Sequence, residues 1–264
     1  MQIIDPHIHM LSRTTDDYRL MVEAGIVAVC EPAFWLGTDR RYPESHLDYF
    51  NHLTTFEPAR AAKRGIKHYC TLSVNPKESE NAELTEAVLK RIDPYLERPT
   101  VLGIGEIGLN KNTENEICMF RRQLELAAER GLLTIVHTPH AAEKRKGTEI
   151  IVDVILEVDP PRDLCVIDHC TRETIELARQ SGCWTGLTVY PGKLTAEEAA
   201  VIVRDFGAER MLLNSSADWE DSDPLATVTT VGVMREMTLP ESLIERLVWH
   251  NPKAFLGQSP KFKV

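Results

Sequence analysis

Short apolar, β-rich runs alternate along the chain with longer segments that show helical spacing. This alternation predicts repeated βα units and a parallel sheet, because continuous apolar runs are typical of strands covered on both faces. The predicted strands are eight in number, at 2–8, 25–31, 66–74, 100–106, 132–138, 163–169, 182–189 and 209–215. Eight such units predict an α/β fold of the (β/α)8 TIM barrel type, with an open doubly wound sheet as the alternative.

Two of the intervening segments carry clear helix signals. The segment ENEICMFRRQLELAAERG is amphipathic and ends at Gly131, and LTAEEAAVIVRDFG begins beside Thr195 and ends at Gly207. Threonine is a common N-cap, and glycine commonly ends a helix and returns the chain to the sheet. The long segment before the third strand, 38–65, predicts an enlarged loop followed by a helix.

The length and charge of the chain narrow the choice of substrate. A chain of 264 residues without a linker-like stretch fits one barrel, so we expect a single domain over residues 1–264. The formal charge of −10 reflects 40 acidic against 30 basic residues, which disfavours a broad contact with a phosphate backbone. A small-molecule substrate is therefore favoured, and nucleic acid is left open but not favoured.

The sequence also predicts the cellular compartment. The opening MQIIDPHIHM lacks the basic and apolar regions of a secretion signal, and no run of about 18 apolar residues predicts a membrane span. The six cysteines are scattered without a CxxC pair, so we expect reduced thiols rather than disulfides. Together these features predict a cytoplasmic protein that does not associate with a membrane.

Residues with metal-ligand chemistry fall at the ends of the predicted strands. The first strand ends in DPHIH, and residues two apart in an extended chain point to the same face, so His7 and His9 can enter one site. Later strand ends supply the other candidates, which are Glu106, His137, His169 and Asp218. Because the carboxyl ends of barrel strands converge on one mouth, we expect these side chains to lie together.

This set of ligands predicts hydrolytic chemistry. Neutral imidazoles and carboxylates suit zinc, manganese or iron, and carboxylate oxygens also suit magnesium. Six ligands exceed the need of one tetrahedral zinc, and a central Glu106 can bridge two ions. Two ions can deprotonate a water between them and polarise an ester, amide or phosphoryl bond. The predicted cofactor is therefore a pair of divalent metal ions.

Other polar residues near the strand ends have less specific interpretations. Asp5 is expected to hold a ring N–H or the loop backbone, and Asp168 to orient His169 unless it caps the next helix, a role for which Thr171 competes. Further residues predicted to line the pocket are Glu31, Asn75, His140 and Tyr190. The basic run 144–146 is interpreted as a solvated loop rather than an anion-binding edge.

At this point the sequence resembles the TatD-related metal-dependent hydrolases of the amidohydrolase superfamily. The resemblance rests on DPHIHM, GEIGLN, MFRRQLELAAERGLLTIVHT, IDHC and NPKAFLG, which occur in order over nearly the whole chain. It implies a (β/α)8 barrel, a binuclear or adaptable metal centre and a hydrolysis that in several relatives is directed at DNA.

The resemblance also implies roles for individual residues. One ion would be held by His7, His9, Glu106 and Asp218, and the other by Glu106, His137 and His169. Asp218 would also accept a proton from the attacking water, so Asp218 and Glu106 are the predicted catalytic residues.

The end of the eighth strand departs from the family pattern. The family has an acidic ETD-like run, whereas this chain reads MLLNSSADWEDSDP, so Asp218 lies two positions beyond the simplest alignment. A shift of two preserves the facing direction of an extended strand. Asp221 and Asp223 remain alternatives to Asp218, and Asn110 replaces the aspartate of the GEIGLD segment.

Three functions are compatible with these residues. The leading one is a hydrolase for a small metabolite, with phosphoester, amide and lactone bonds all open. The second is a TatD-like deoxyribonuclease, which predicts a basic, aromatic-lined groove beside the metals. The third is a barrel that binds metal or ligand without turnover.

Overall fold

The computed structural model describes residues 1–140 and 143–264. Eight strands form one sheet in which each strand pairs in parallel with the next along the chain, from β1 to β8. Their bounds are β1 Ile3–Asp5, β2 Ile26–Pro32, β3 Lys67–Leu72, β4 Val101–Gly108, β5 Leu133–His137, β6 Cys165–Asp168, β7 Trp184–Thr188 and β8 Met211–Asn214. The fold is a (β/α)8 barrel, so the predicted fold class is confirmed.

Helices occupy every connection between successive strands and the segment after the last strand. They are α1 Thr15–Glu23, α2 Pro43–Ala62, α3 Ala82–Leu89, α4 Asp93–Leu96, α5 Glu114–Arg130, α6 Lys144–Val158, α7 Ile175–Gln180, α8 Ala196–Phe206, α9 Ala226–Glu236, α10 Glu241–Glu245 and α11 Asn251–Leu256. A π-helical turn at Arg246–His250 joins the last two. In the part of the chain that the structure describes, no helix combines the length and apolarity that crossing a bilayer requires.

The ends of two helices follow from their sequence signals. The side chain of Thr113 accepts a hydrogen bond from the backbone N–H of Glu116 at the start of α5, and Gly131 ends this helix in the left-handed region. Helix α8 begins with a capping box between Thr195 and Glu198. Both helices therefore begin and end where the sequence predicts, and each returns the chain to the next strand.

The strands bury both of their faces. One apolar cluster takes residues from every strand, among them Ile4, Cys30 and Leu102, and fills the inside of the barrel together with Phe255 from α11. A larger cluster lies between the strands and the surrounding helices. This double burial explains why the strands read as continuous apolar runs.

The first and last strands meet through the loops at their carboxyl ends. The backbone N–H of Ser216 donates to the carbonyl of His7 at 2.7 Å, and the N–H of His9 donates to the carbonyl of Ala217 at 2.9 Å. These bonds join the segment that carries the HxH pair to the segment that follows β8. The candidate ligands from the two ends of the chain are thereby brought to one mouth of the barrel.

Candidate metal centre

The two histidines of the HxH pair lie buried just beyond the end of β1. The Nδ1 atom of His7 lies 2.5 Å from Oδ2 of Asp168, and its Nε2 atom lies 3.2 Å from Nε2 of His9. Asp168 therefore orients His7, whereas the sequence suggested His169 or a helix cap. Asp5 accepts the backbone N–H groups of His7 and Ser215, which is one of the two roles expected for it. Burial raises the pKa of Asp5 to about 7.

Glu106, on β4, lies at the centre of the imidazole groups. Its Oε1 atom is 3.0 Å from Nδ1 of His137, 3.0 Å from Nε2 of His169 and 3.4 Å from Nε2 of His7. Its Oε2 atom accepts a hydrogen bond from Nδ2 of Asn75 at 3.1 Å. We call Glu106, His7, His137 and His169 the site cluster.

The site cluster strongly changes the acidity of its members. Burial alone would raise the pKa of Glu106, but the adjacent His7 and His137 outweigh it and hold that pKa well below its usual range. Burial lowers the pKa of His137 and of His169, so both rings are neutral near pH 7. Burial also opposes the charge on His7, yet Glu106 and Asp168 outweigh this effect and raise its pKa.

His169 is held in an uncommon backbone conformation. Its φ of 59° lies in the left-handed region, and its N–H donates to Oδ1 of Asp168 at 2.7 Å. The ring Nδ1 atom is 2.7 Å from the hydroxyl of Thr188, so its Nε2 atom faces Glu106. A Cβ atom at Gly186 would overlap Asp168, which explains the glycine on the neighbouring strand.

The arrangement of these donors fits a divalent cation. Nε2 of His169 and Nδ1 of His137 are 3.1 Å apart, and both face the same carboxylate oxygen. Neutral imidazole nitrogens that face each other repel through their lone pairs unless a proton or cation lies between them. Ligand atoms about 2.1 Å from a tetrahedral ion lie about 3.4 Å from one another. The separations of 3.0 to 3.4 Å in the site cluster are close to that value.

Two groups of side chains have the spacing for an ion at this mouth. One contains His7, Glu106 and His169, and the other contains His137, His140 and His169, with ligand atoms within 4.8 Å of one another in each group. Nδ1 of His9 and Nε2 of His137 are buried and have no hydrogen-bond partner among the described residues. Buried ring nitrogens without a protein partner are available to ligate an ion, which is a second observation that fits a metal at this mouth.

Asp218 lies on the wall of the same pocket, apart from the groups that meet the ion spacing. Its Oδ1 atom accepts hydrogen bonds from the hydroxyl of Tyr190 at 2.9 Å and from the backbone N–H of Glu220 at 3.0 Å. Within the described residues, neither group of ion-spaced ligands includes it. Of the two alternatives, Asp223 accepts the N–H of Leu225 at the start of α9, and Asp221 does not line this pocket.

The pocket is small and has an aromatic mouth. Its volume is about 240 Å³, and its lining includes His9, Asn75, Glu106 and His137. The mouth is formed by Phe34, Trp35, Trp219 and Tyr190. The ring of Phe34 stacks on His9 with centroids 3.9 Å apart. Of the predicted lining residues, Glu31 lies elsewhere, because its carboxylate points outward from β2 and contacts His68.

A second cavity of about 650 Å³ adjoins this pocket and shares His140 and Lys193 with it. Its other lining residues include the basic Lys144, Arg145 and Arg172 and the acidic Glu173, Glu197 and Glu198, so its wall carries charges of both signs. Lys144 and Arg145 begin α6 and line this cavity, although the sequence favoured a solvated loop for the run 144–146. A basic run is a weak signal in sequence because only the fold decides which surface it faces.

Lys193 is the functional candidate that the sequence did not reveal. It follows β7 in the stretch TVYPGKLT, and its Nζ atom donates to Oγ of Ser216 at 3.2 Å inside the pocket. Burial lowers the pKa of Lys193 to about 8. A lysine several residues beyond a predicted strand end has no motif that marks it, so geometry was needed to find it.

Comparison with known proteins finds relatives over nearly the whole chain. The family model described as TatD related DNase matches residues 4–257. A protein of Methanocaldococcus jannaschii described as an uncharacterized metal-dependent hydrolase is 31% identical over 257 residues, which cover 96% of this chain and 99% of that protein. The 3'-5' ssDNA/RNA exonuclease TatD of Erwinia amylovora is 30% identical over 175 residues, 62% of this chain and 64% of that protein. The solved structure of a TatD-like protein from Archaeoglobus fulgidus matches with a TM-score of 0.79 at 31% identity, covering 96% of this chain and 99% of that one.

Proposed function

Because the chain belongs to the TatD-related DNase family and is a metal-dependent hydrolase, we propose that it hydrolyses a small metabolite at a phosphoester, amide or lactone bond. The family assignment predicted from the ordered motifs is confirmed by the match over residues 4–257. The small volume of the pocket, about 240 Å³, supports a substrate of modest size.

The observation that carries this proposal is the position of the Glu106 carboxylate among three imidazole nitrogens. We assign His7, His9, Glu106, His137, His169 and Asp218 as the ligands of two divalent ions, which would be zinc, manganese, iron or magnesium. Ions held here would make a water acidic and polarise the scissile bond. Asp168 fixes the ring of His7 and Thr188 fixes that of His169, so Nε2 of each ring is left for an ion.

We assign Asp218 as the general base for the attacking water. The hydroxyl of Tyr190 and the N–H of Glu220 both bind Oδ1, which holds the carboxylate in place. Within the described residues, no protein group forms a hydrogen bond with Oδ2, so this oxygen is free to take a proton. Trp35 and Trp219 line the same pocket as the reacting groups.

A nuclease acting on single-stranded ends is the second candidate. The aromatic mouth offers surfaces on which bases can stack, which is one feature of the nuclease interpretation. The adjoining cavity contributes Lys144, Arg145 and Arg172, but Glu173, Glu197 and Glu198 line it as well, so it supports the predicted basic groove only in part. The small metabolite remains the first candidate because the whole chain carries a net charge of −10.

One experiment compares the two candidates and tests the metal chemistry. Protein purified without chelator would be analysed for bound metal, then assayed with a phosphomonoester, a phosphodiester, a lactone, an amide and a 3'-tailed oligonucleotide. Turnover of a small ester that exceeds turnover of the oligonucleotide supports the first candidate, and the reverse supports the nuclease. Protein without bound metal that added divalent ions fail to activate would contradict both.

The role of Asp218 has a matched control in the same loop. Asp218→Asn is expected to lower kcat by roughly 100-fold or more, because general base catalysis contributes about that much. Asp221→Asn changes an exposed neighbour and should stay within about twofold of the wild-type rate. Equal rates for both variants would remove Asp218 from the mechanism.

The location of the protein is proposed from its thiols. The six cysteines of the chain are free, and five of them are buried. Free thiols are typical of a reducing compartment, so we propose that the protein acts in the cytoplasm.

A further inference from the structure

Cys165 and Cys183 lie opposite each other at the amino ends of β6 and β7. The parallel pairing joins Val166 to Trp184, and each cysteine directly precedes one of these two residues. Both cysteines belong to the apolar cluster between the strands and the helices, whereas Val166 and Trp184 belong to the cluster inside the barrel. The two thiols therefore point outward from the barrel, on the same face of the sheet.

The spacing of neighbouring strands suits a covalent bond between these thiols. Adjacent strands are about 4.8 Å apart, and a disulfide joins residues whose Cα atoms are roughly 4.4–6.8 Å apart. The thiols already interact, because a hydrogen bond between them raises the pKa of Cys165 and lowers that of Cys183. A bridge between them requires no change in the register of β6 and β7.

A second pair of cysteines shows that neighbouring strands alone are not enough. Cys30 on β2 and Cys70 on β3 also lie on adjacent strands, but Cys30 pairs with Tyr69. Cys30 faces the inside of the barrel, and Cys70 faces the helices. Thiols on opposite faces of a sheet cannot be joined without movement of the backbone. Cys165 and Cys183 differ from this pair because they share both register and face.

Cys183 is the thiol that a small oxidant meets first. It is 3% exposed and follows the exposed Gly182, whereas Cys165 is 0% exposed. Besides the hydrogen bond between the thiols, the charges of Arg162 and Arg210 lower the pKa of Cys183, because they stabilise a thiolate. A thiolate is the reactive form of cysteine, so Cys183 would react first and Cys165 second.

We propose that Cys165 and Cys183 form a reversible disulfide when a peroxide oxidises the folded protein. The thiolate of Cys183 attacks one peroxide oxygen, the O–O bond breaks, and the released hydroxide takes up the proton that the thiol lost, which leaves a sulfenic acid and one water. The thiol of Cys165 then attacks this sulfur and displaces a second water. Two thiols and one hydrogen peroxide thus give one disulfide and two waters, and a dithiol reductant reverses the bond by exchange.

The test uses the native protein treated with hydrogen peroxide. Remaining thiols would be alkylated during unfolding, and tryptic peptides would be measured by mass spectrometry with and without dithiothreitol. Trypsin places Cys165 in the peptide 163–172 and Cys183 in the peptide 180–193. The first of these peptides also contains Cys170, so a Cys170→Ser variant assigns the bridge.

The oxidised wild type is expected to give a linked pair of these peptides, lighter than their sum by two hydrogen atoms, and dithiothreitol should remove the link. Cys170→Ser should give the same link. In Cys165→Ser no second thiol is present, so Cys183 should advance to a sulfinic acid that dithiothreitol does not reverse. The control Cys118→Ser, which removes the exposed cysteine, should match the wild type.

A wild type without the linked pair, at a peroxide concentration that oxidises the exposed Cys118, would overturn the inference. A bridge to Cys170 in place of Cys165 would overturn it as well. Circular dichroism should be unchanged by oxidation, because the bond joins strands that are already paired. Loss of the fold together with formation of the bridge would show that the bond belongs to the unfolded chain.

Discussion

Two buried clusters of glutamate and histidine differ in how their charges are compensated. The site cluster around Glu106 opens on the pocket. A second cluster, which we call the outer cluster, joins Glu31 on β2, His68 on β3 and Glu57 on α2 in the space between barrel and helices. Both clusters meet the spacing that a metal ion requires. Residue type and spacing therefore do not separate a metal centre from a structural network.

The carboxylates of the outer cluster are paired by the protein itself, although Nδ1 of His68 has no hydrogen-bond partner among the described residues. Glu31 accepts the backbone N–H of Leu11 at 2.8 Å and contacts Nε2 of His68 at 2.7 Å. Glu57 pairs with Arg60 at 2.9 Å and accepts the hydroxyl of Tyr18 at 3.1 Å. An arginine thus pairs with Glu57, whereas the carboxylate of Glu106 faces imidazole rings and the amide of Asn75. The comparison teaches that a buried carboxylate surrounded by imidazoles without an arginine, rather than a buried acid or an unpartnered ring nitrogen as such, indicates where an ion binds.

The largest expected effect comes from removing the central charge of the site cluster. Glu106→Gln should lower hydrolysis by about 1,000-fold, because the carboxylate that gathers three imidazoles is lost. The same variant should lose most of its bound metal, measured by mass spectrometry of the purified protein. Glu31→Gln provides the matched control, and a loss of metal from that variant instead would reverse the assignment of the two clusters.

A large loss of stability is expected from the outer cluster. Arg60→Met leaves the buried carboxylate of Glu57 without its partner and should lower the free energy of unfolding by about 3 kcal/mol. Urea denaturation would measure the loss, and Arg64→Met would serve as the exposed control. The double variant Glu57→Gln, Arg60→Met should recover much of the loss. Metal content should stay unchanged in all three proteins.

Removal of metal by a chelator should affect the two clusters differently. Hydrolysis should be abolished and restored by added divalent ions, while the circular dichroism of the fold remains. At metal concentrations about 100 times the Kd, binding contributes about 2.7 kcal/mol. At about 2–4 °C for each kcal/mol in a chain of this size, Tm should fall by roughly 5–10 °C on chelation. Complete unfolding on chelation would mean that the ion is part of the fold.

The smallest expected change is a gain in stability rather than a loss. Lys193→Met removes a cation whose burial outweighs the attraction of nearby carboxylates, and should raise the free energy of unfolding at pH 7 by about 1 kcal/mol. The pKa of Lys193 falls from 10.5 to about 8 on folding. Between these values the unfolded chain binds more protons, so wild-type stability should rise with pH and the advantage of the variant should fade. Urea titrations at pH 7, 9 and 10.5 would measure this, and an advantage that grows with pH would contradict it.

The fold could be predicted from the sequence because the patterns that encode its strands and helices are local and repeated. Each of the eight strands is an apolar run between helices, and Gly131, Thr195 and Gly207 mark helix ends where the structure has them. Errors at the ends of strands amount to a few residues, as for the strand predicted at 2–8 and found at Ile3–Asp5. A barrel repeats one simple unit, so such errors leave the topology intact.

The site residues that could be predicted from the sequence are those that lie at or near the ends of strands. His7, Glu106, His137 and His169 meet because each follows or ends a barrel strand, and His9 lies beside them. The bond between Asp168 and His7 joins residues far apart in sequence, and no local pattern encodes such a pairing. Lys193 and Asp218 lie in loops, where the direction of a side chain depends on turns and on tertiary contacts. Sequence spacing therefore predicts the strand-end residues at the centre of the site better than the loop residues that line its pocket.

The joining of the loops after β1 and β8 has a consequence for protein synthesis. A ribosome releases His7 and His9 first, whereas Ser216 and Ala217, which bond to that segment, emerge near the end of translation. At usual elongation rates the interval is on the order of 10–40 seconds. Glu106 and Asp168 emerge within this interval, but until its end the two histidines lack their partner loop. We therefore expect a nascent or truncated chain to lack hydrolase activity until the segment after β8 has joined the HxH segment.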